Sequence, residues 1–229
     1  MIEIERYFLW YVFYSLIGWL YESVMYTVKQ RRFVNRGFLN GPYCPIYGAG
    51  AILNILLLHD IQHPVLLFLA GAVLACSLEY LTSWSMEQLF HARWWDYRKY
   101  PFNLNGRICL YGALVFGVFA VALILFIHPA VVIWTKSIPA PALHIISGSL
   151  LILMIIDTVT TVGGVRHLNR LLLEAARSFG NESWFVHRLG LQQKRMLKSF
   201  PTLISTQYSQ ALDRVRQAYF RLRRKGDTS

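Results

Sequence analysis

Five apolar stretches occupy most of the first 162 positions of the chain, parted by short polar segments of which two are rich in Arg, Lys and aromatic residues. A bilayer-spanning helix needs about 20 apolar residues. The stretches predict spans at about 7–28, 43–58, 64–90, 108–134 and 141–162. The second is short, carries Asn54 and ends at His59-Asp60. The third is long enough to tilt or to project from the membrane, and Pro129 falls near the far end of the fourth.

The polar segments give these spans a direction. Lys29, Arg31, Arg32 and Arg36 follow the first span; Arg93, Arg98, Lys99 and Arg107 follow the third; a strongly basic segment follows the fifth. The links after the second and fourth spans hold only Lys136 between them. Basic loops stay in the cytoplasm, so the N-terminus is expected outside and the C-terminus inside. From Val165 onward, 13 Lys/Arg stand against four Asp/Glu. Leu168, Leu171, Leu172 and Ala175 recur at helical spacing, as do Leu212, Val215, Tyr219 and Leu222. Amphipathic helices broken near Gly180-Asn181 and Pro201 are expected, lying on anionic lipid rather than docking a partner.

Two stretches 65 residues apart repeat one pattern: LNGPYCPIYGA at 39–49 and LNGRICLYGA at 104–113. Each follows a basic loop and opens the next span. Glu22 precedes Asn40 by 18 residues, and Glu87 precedes Asn105 by 18. The expected fold is therefore an all-α integral membrane protein of about five transmembrane helices. It consists of two similar helical hairpins, about 7–60 and 63–134, plus one span. The expected division is a transmembrane domain over 1–163 and a basic cytoplasmic tail over 164–229. In each copy Asn suits a helix cap and Gly a tight entry turn, which would aim two helix N-termini toward one place.

Charge inside an apolar span is costly and marks a cavity or an ion pair. Glu22, Glu79 and Asp157 lie inside spans, and Glu79, Ser83 and Glu87 form a stripe along the third. The loop HARWWDYRKYPFNLNGR at 91–107 adds Arg93, Trp95, Asp96, Asn103, Asn105 and Arg107, while Arg36 and Asn40 belong to the first copy. Trp94, Trp95 and Tyr97 suit the membrane interface. These residues predict a polar pocket of mixed charge open to the cytoplasm; a salt-bridge network fixing helix packing is the competing reading.

Composition sharpens the class. The chain is 55% hydrophobic and only 15% charged, with a net charge of +11. That combination points to a multipass protein of the cell membrane, with the excess charge directed at anionic lipid rather than nucleic acid. Cys44, Cys76 and Cys109 fit no zinc site and are expected reduced and buried. No metal and no cofactor are expected: the chain has neither HExxH nor a GxxxxGK[ST] phosphate loop. The opening Met-Ile-Glu-Ile-Glu-Arg lacks a basic n-region, so no cleaved leader is expected.

NRGFLNGPYCPIYGAGA at 35–51, the EYxTSxxxExxF pattern at 79–90, and RWWDY followed by NLNGRICL resemble the bacterial ABC-transporter type IV, or CmpB-like, permeases. The animal transmembrane protein 229 group is similar to them. The resemblance covers about Gly18 to Gly117 and leaves the tail outside. It places Glu22, Asn40, Gly41, Glu79, Glu87, Arg93, Trp95, Asp96, Asn105, Gly106 and Arg107 at motif positions. It implies a permease-like transport component served by a separate ATPase, and a homodimer would double the path. The substrate expected from the residues is small and anionic or zwitterionic. Two other classes compete: an integral membrane enzyme acting on a phosphate-bearing lipid headgroup, with Arg36, Arg93 and Arg107 on the phosphate, and a non-catalytic assembly or regulatory protein. Enzymatic activity is thus left open, with the balance against it.

Overall fold

The computed structural model describes residues 2–177 and 182–226. The chain is 76% helical and nearly all-α. In order the elements are α1 (Ile2–Gln30), α2 (Pro45–Leu58), α3 (Pro64–Phe90), β1 (Ala92–Arg93), β2 (Asn103–Leu104) and β3 (Ile108–Cys109). Then follow α4 (Leu110–Ala122), a π-helical turn (Leu123–Ile127), α5 (His128–Lys136), α6 (Ala140–Arg177), α7 (Glu182–Arg188), α8 (Leu191–Ser199), β4 (Ile204–Ser205) and α9 (Ser209–Gly226).

Among the described residues, three helical segments are long and apolar enough to cross a membrane: Pro64–Phe90, Leu110–Lys136 and Ala140–Arg177, with hydropathies of 2.0, 2.7 and 2.0. α1 has the length, but its five Tyr and two Trp lower its hydropathy. α2 has 14 residues, a rise of about 21 Å, short of the ~30 Å hydrocarbon layer. The π turn has a cause in sequence. Pro129 has no N–H to donate back to Leu125, so the helix widens just ahead of it.

The chain forms two compact units. The first comprises residues up to Thr82 together with Tyr97–Asp157. Here glycines set the helix approach. A Cβ on Gly18 would strike the Tyr47 ring, and one on Gly48 would strike Ser15 and Tyr11, so α1 and α2 meet backbone to side chain. Gly71 sits against Ala120 and Gly117 against Phe68, which joins α3 to α4 in the same way. Gly112 meets only Cys109 and Phe116, both close to it in the chain. The apolar core gathers Trp10, Tyr14, Ala51, Ile55, Leu67, Leu123, Ile124 and Val131. Polar locks cross it: Trp10 Nε1 donates to Thr135 Oγ1 at 3.0 Å, and the Tyr14 hydroxyl pairs with His128 Nδ1 at 3.0 Å. His144 Nδ1 meets Glu5 Oε2 at 2.6 Å.

The second unit comprises Ser83–Asp96 and the chain from Thr158 onward. The expected boundary at 163/164 is not where the chain changes units, and α6 runs through Gly163-Gly164 without a break. Gly164 instead leaves room for α8: Gln193 Nε2 donates to its carbonyl at 2.9 Å, and Gln192 Nε2 donates to the Thr161 carbonyl at 3.1 Å. The expected amphipathic faces exist, but Leu168, Leu171, Leu172, Ala175, Leu212, Val215 and Tyr219 are all buried in this unit. Lipid is therefore not what covers them. β1 pairs antiparallel with β4, Ala92 opposite Ser205, and Trp94 is buried with them rather than at a membrane interface. The expected break at Pro201 is present between α8 and β4; the one at Gly180-Asn181 lies outside the described residues. A void of about 10 Å³ in this core has room for one water at most.

Candidate functional site

Both Leu-Asn-Gly stretches lie in the first unit, and each leads to a cysteine at the start of the following helix. Asn40 and Asn105 do not cap those helices, contrary to the sequence reading. Cys44 and Cys109, each four residues later, hold the N-cap positions in extended conformation without a side-chain cap bond. The three cysteines are free; Cys44 and Cys109 are buried and Cys76 is partly exposed. Asn105 and Gly106 instead form the β2–β3 turn, with φ of 52° and 68°, and Arg107 N–H closes it on the Leu104 carbonyl at 3.0 Å. An Asn-Gly pair at positive φ is what a two-residue hairpin turn demands. Asn103 braces the same turn: its Oδ1 accepts from Gly106 N–H at 3.1 Å and its Nδ2 donates to the Tyr100 carbonyl at 2.8 Å.

The residue missing from the second copy falls between Cys and Tyr. Removing it turns the next helical position by about 100°. Tyr47 accordingly points inward, and its hydroxyl donates to Glu22 Oε1 at 2.8 Å, whereas Tyr111 is 62% exposed. The loop supplies the matching tyrosine to the second carboxylate. Tyr97 donates its hydroxyl to Glu79 Oε1 at 3.0 Å, and its own N–H bonds the Gly106 carbonyl at 2.8 Å. Burial, followed by the charge of Glu79, pushes the Tyr97 hydroxyl well above the ordinary phenol range, so it stays a donor.

These two pairs form one cluster. Glu22 is within electrostatic range of both Glu79 and Tyr97, and Tyr47 is within range of Tyr97. Arg36 is 8% exposed; its Nε reaches Glu22 Oε2 at 3.4 Å and its guanidinium lies 3.8 Å over the Tyr26 ring. The preceding loop is built to hold it there: Arg36 N–H donates to Ser23 Oγ at 3.3 Å, and Trp19 Nε1 fixes Asn35 Oδ1 at 2.8 Å. Beside Glu79 on α3, the Tyr80 hydroxyl accepts from Asn105 Nδ2 at 3.0 Å, and the buried Arg107 faces the Tyr80 ring at 5.5 Å.

Asp157 has a separate task. One carboxylate oxygen accepts from Asn40 N–H at 3.1 Å and Asn40 Nδ2 at 2.9 Å; the other accepts from Gly41 N–H at 2.8 Å and the Tyr43 hydroxyl at 2.6 Å. The first Leu-Asn-Gly stretch thus grips an anion, and that anion is the protein's own.

Of the expected site residues, Glu22, Arg36, Asn40, Glu79, Asn103, Asn105, Arg107 and Asp157 lie in the first unit. Glu87, Arg93, Trp95 and Asp96 lie in the second, where Arg93 Nε bonds Glu87 Oε2 at 2.6 Å. Tyr43, Tyr47 and Tyr97 were missed as partners of the carboxylates. Tyr47 had a signal, because it stands inside the repeat one residue out of step with Tyr111. Among the described residues no group of three His, Cys, Asp or Glu could hold a metal ion.

Three helices long and apolar enough to cross a membrane, among the described residues, mark the chain as a membrane protein. The family model described as "Putative ABC-transporter type IV" matches residues 9–162, and the chain belongs to that family. The match takes in both repeats, Glu22, Glu79 and Asp157, and stops short of most of the second unit. Neither a curated protein nor a solved structure matches the chain significantly.

Proposed function

We propose that the chain is the membrane-embedded component of an ABC-type transporter in the cell membrane, powered by a separate ATPase subunit. It crosses five times, with α1 and α2 as the aromatic and the short span, and both repeats face the cytoplasm. The substrate is small and zwitterionic. It enters from the loop side toward Glu22 and Glu79, with Arg36 available to its anionic end. A bare anion would meet two carboxylates and is disfavoured.

The observation that carries this reading is the Glu22–Tyr47 and Tyr97–Glu79 pairs, with Glu79 buried and Glu22 partly buried on long helices, where charge is retained mainly for function. The Arg36 to Glu22 contact, at 3.4 Å, is longer than a tight charge-assisted ion pair. In the second unit the exposed Arg166, Arg170, Arg177 and Arg188 give the basic face, not the apolar one, to anionic lipid. A homodimer would place two such paths side by side.

Purification of the tagged chain from native membranes, followed by ATP hydrolysis in vesicles, tests the reading. Associated hydrolysis stimulated by substrate, and lowered about tenfold or more by Glu79→Gln with the assembly intact, is expected. A folded protein with no associated hydrolysis and no solute flux would overturn it.

A further inference from the structure

We propose that Glu79 and Glu22 together hold one exchangeable positive charge, a proton or a small monovalent cation, independent of the transported solute. Glu79 is 7% exposed, and while its Oε1 takes the Tyr97 hydroxyl, its Oε2 is buried without a hydrogen-bond partner. No Arg, Lys or His forms an ion pair with Glu79 among the described residues. The groups within its field are Glu22 from α1, Cys76 one turn back on α3, and Tyr97 from the loop, none of them cationic. Cys109 at the start of α4 and Tyr47 on α2 face Tyr97 and add no positive charge.

The charge count is decisive. Among the described residues Glu22 has a guanidinium partner, Arg36, whereas Glu79 has no cationic partner and an unbonded buried Oε2. With both acids ionised the cluster keeps one uncompensated buried negative charge, which proteins avoid by neutralising or pairing it. The unsatisfied Oε2 of Glu79 is where the missing positive charge belongs. The available donors are carboxylate and phenol oxygens, a hard set suited to Na⁺ or K⁺ rather than to a transition metal. A divalent ion would bring one positive charge more than the surplus the cluster has to balance.

The inference deepens the transport reading by naming the charge its cluster takes, yet its test reads binding without transport. Purified wild-type protein is melted in NaCl, KCl or choline chloride at equal ionic strength, and its infrared spectrum is recorded in choline. A midpoint that rises with Na⁺ or K⁺ concentration, and no longer does so in Glu79→Gln, identifies the metal cation. A protonated-carboxyl C=O band in choline, removed by Glu79→Gln or shifted by Glu22→Gln, identifies the proton. A wild-type protein with neither cation dependence nor that band overturns the proposal, and this outcome needs no folded variant. Loss of flux with the cation response intact would count against the transporter reading alone.

Discussion

Tyr97 reaches Glu79 from 18 residues further along the chain and donates to its carboxylate at 3.0 Å, as Tyr47 donates to Glu22 at 2.8 Å. One tyrosine comes from a helix and the other from a loop, because the second copy lacks the residue that would turn Tyr111 inward. The two carboxylates end in similar company by different routes.

Tyr97→Phe removes the one donor that Glu79 has. A buried acceptor left without its partner costs about 1–3 kcal/mol. The melting midpoint in detergent should fall accordingly, while Tyr111→Phe, at an exposed position, should change stability by no more than about 0.5 kcal/mol. Equal effects of the two substitutions would refute the assignment.

Asp157→Asn keeps the size of the side chain and removes its charge. The amide can no longer accept at both ends from Asn40, Gly41 and Tyr43. Hydrogen exchange at Asn40 and Gly41 should accelerate, with a loss of about 1.5–3 kcal/mol for charge-assisted bonds. Unchanged protection at both amides would show that the loop is held by something else.

The glycine contacts predict a contrast. Gly48→Ala puts a methyl into Ser15 and Tyr11, and such overpacking costs about 1–3 kcal/mol. Gly148 has nothing near its missing Cβ, so Gly148→Ala should be stabilising by about 0.5–1 kcal/mol through helix propensity. Thermal unfolding of the two variants side by side checks both signs.

For the basic tail, the buried faces make a prediction that a lipid-lying helix would not. Leu172→Ala opens a cavity in the second unit and should cost about 2–5 kcal/mol. It should leave vesicle binding by the folded protein unchanged. Arg166→Ala with Arg170→Ala should weaken binding to anionic vesicles by about 1 kcal/mol per residue. Vesicle sedimentation that depends on Leu172 and ignores the arginines would restore the membrane-lying tail.

Much of the helical layout was legible because its signals are local. The third stretch was read as 64–90 and α3 is Pro64–Phe90, bounded by Pro64 and the polar loop after Phe90. The end of α6 was not legible. The fifth stretch was read as ending at 162, but α8 packs on Gly164 and the helix continues to Arg177. The carboxylates stood out by being charged in apolar company. Their tyrosine partners did not, since a loop-to-helix contact such as Tyr97–Glu79 leaves no periodic trace. The faces of α6 and α9 were found by spacing, apart from Leu222, which is exposed; spacing alone does not say whether lipid or protein covers an apolar face.

The most direct test of the account is native mass spectrometry of the purified full chain, wild type beside Glu79→Gln, with melting midpoints taken on the same samples. The account predicts a defined zwitterionic adduct on the wild type that is absent from a Glu79→Gln protein that remains folded. An adduct retained equally by both, or no adduct on either folded protein, would contradict a substrate path at Glu22 and Glu79.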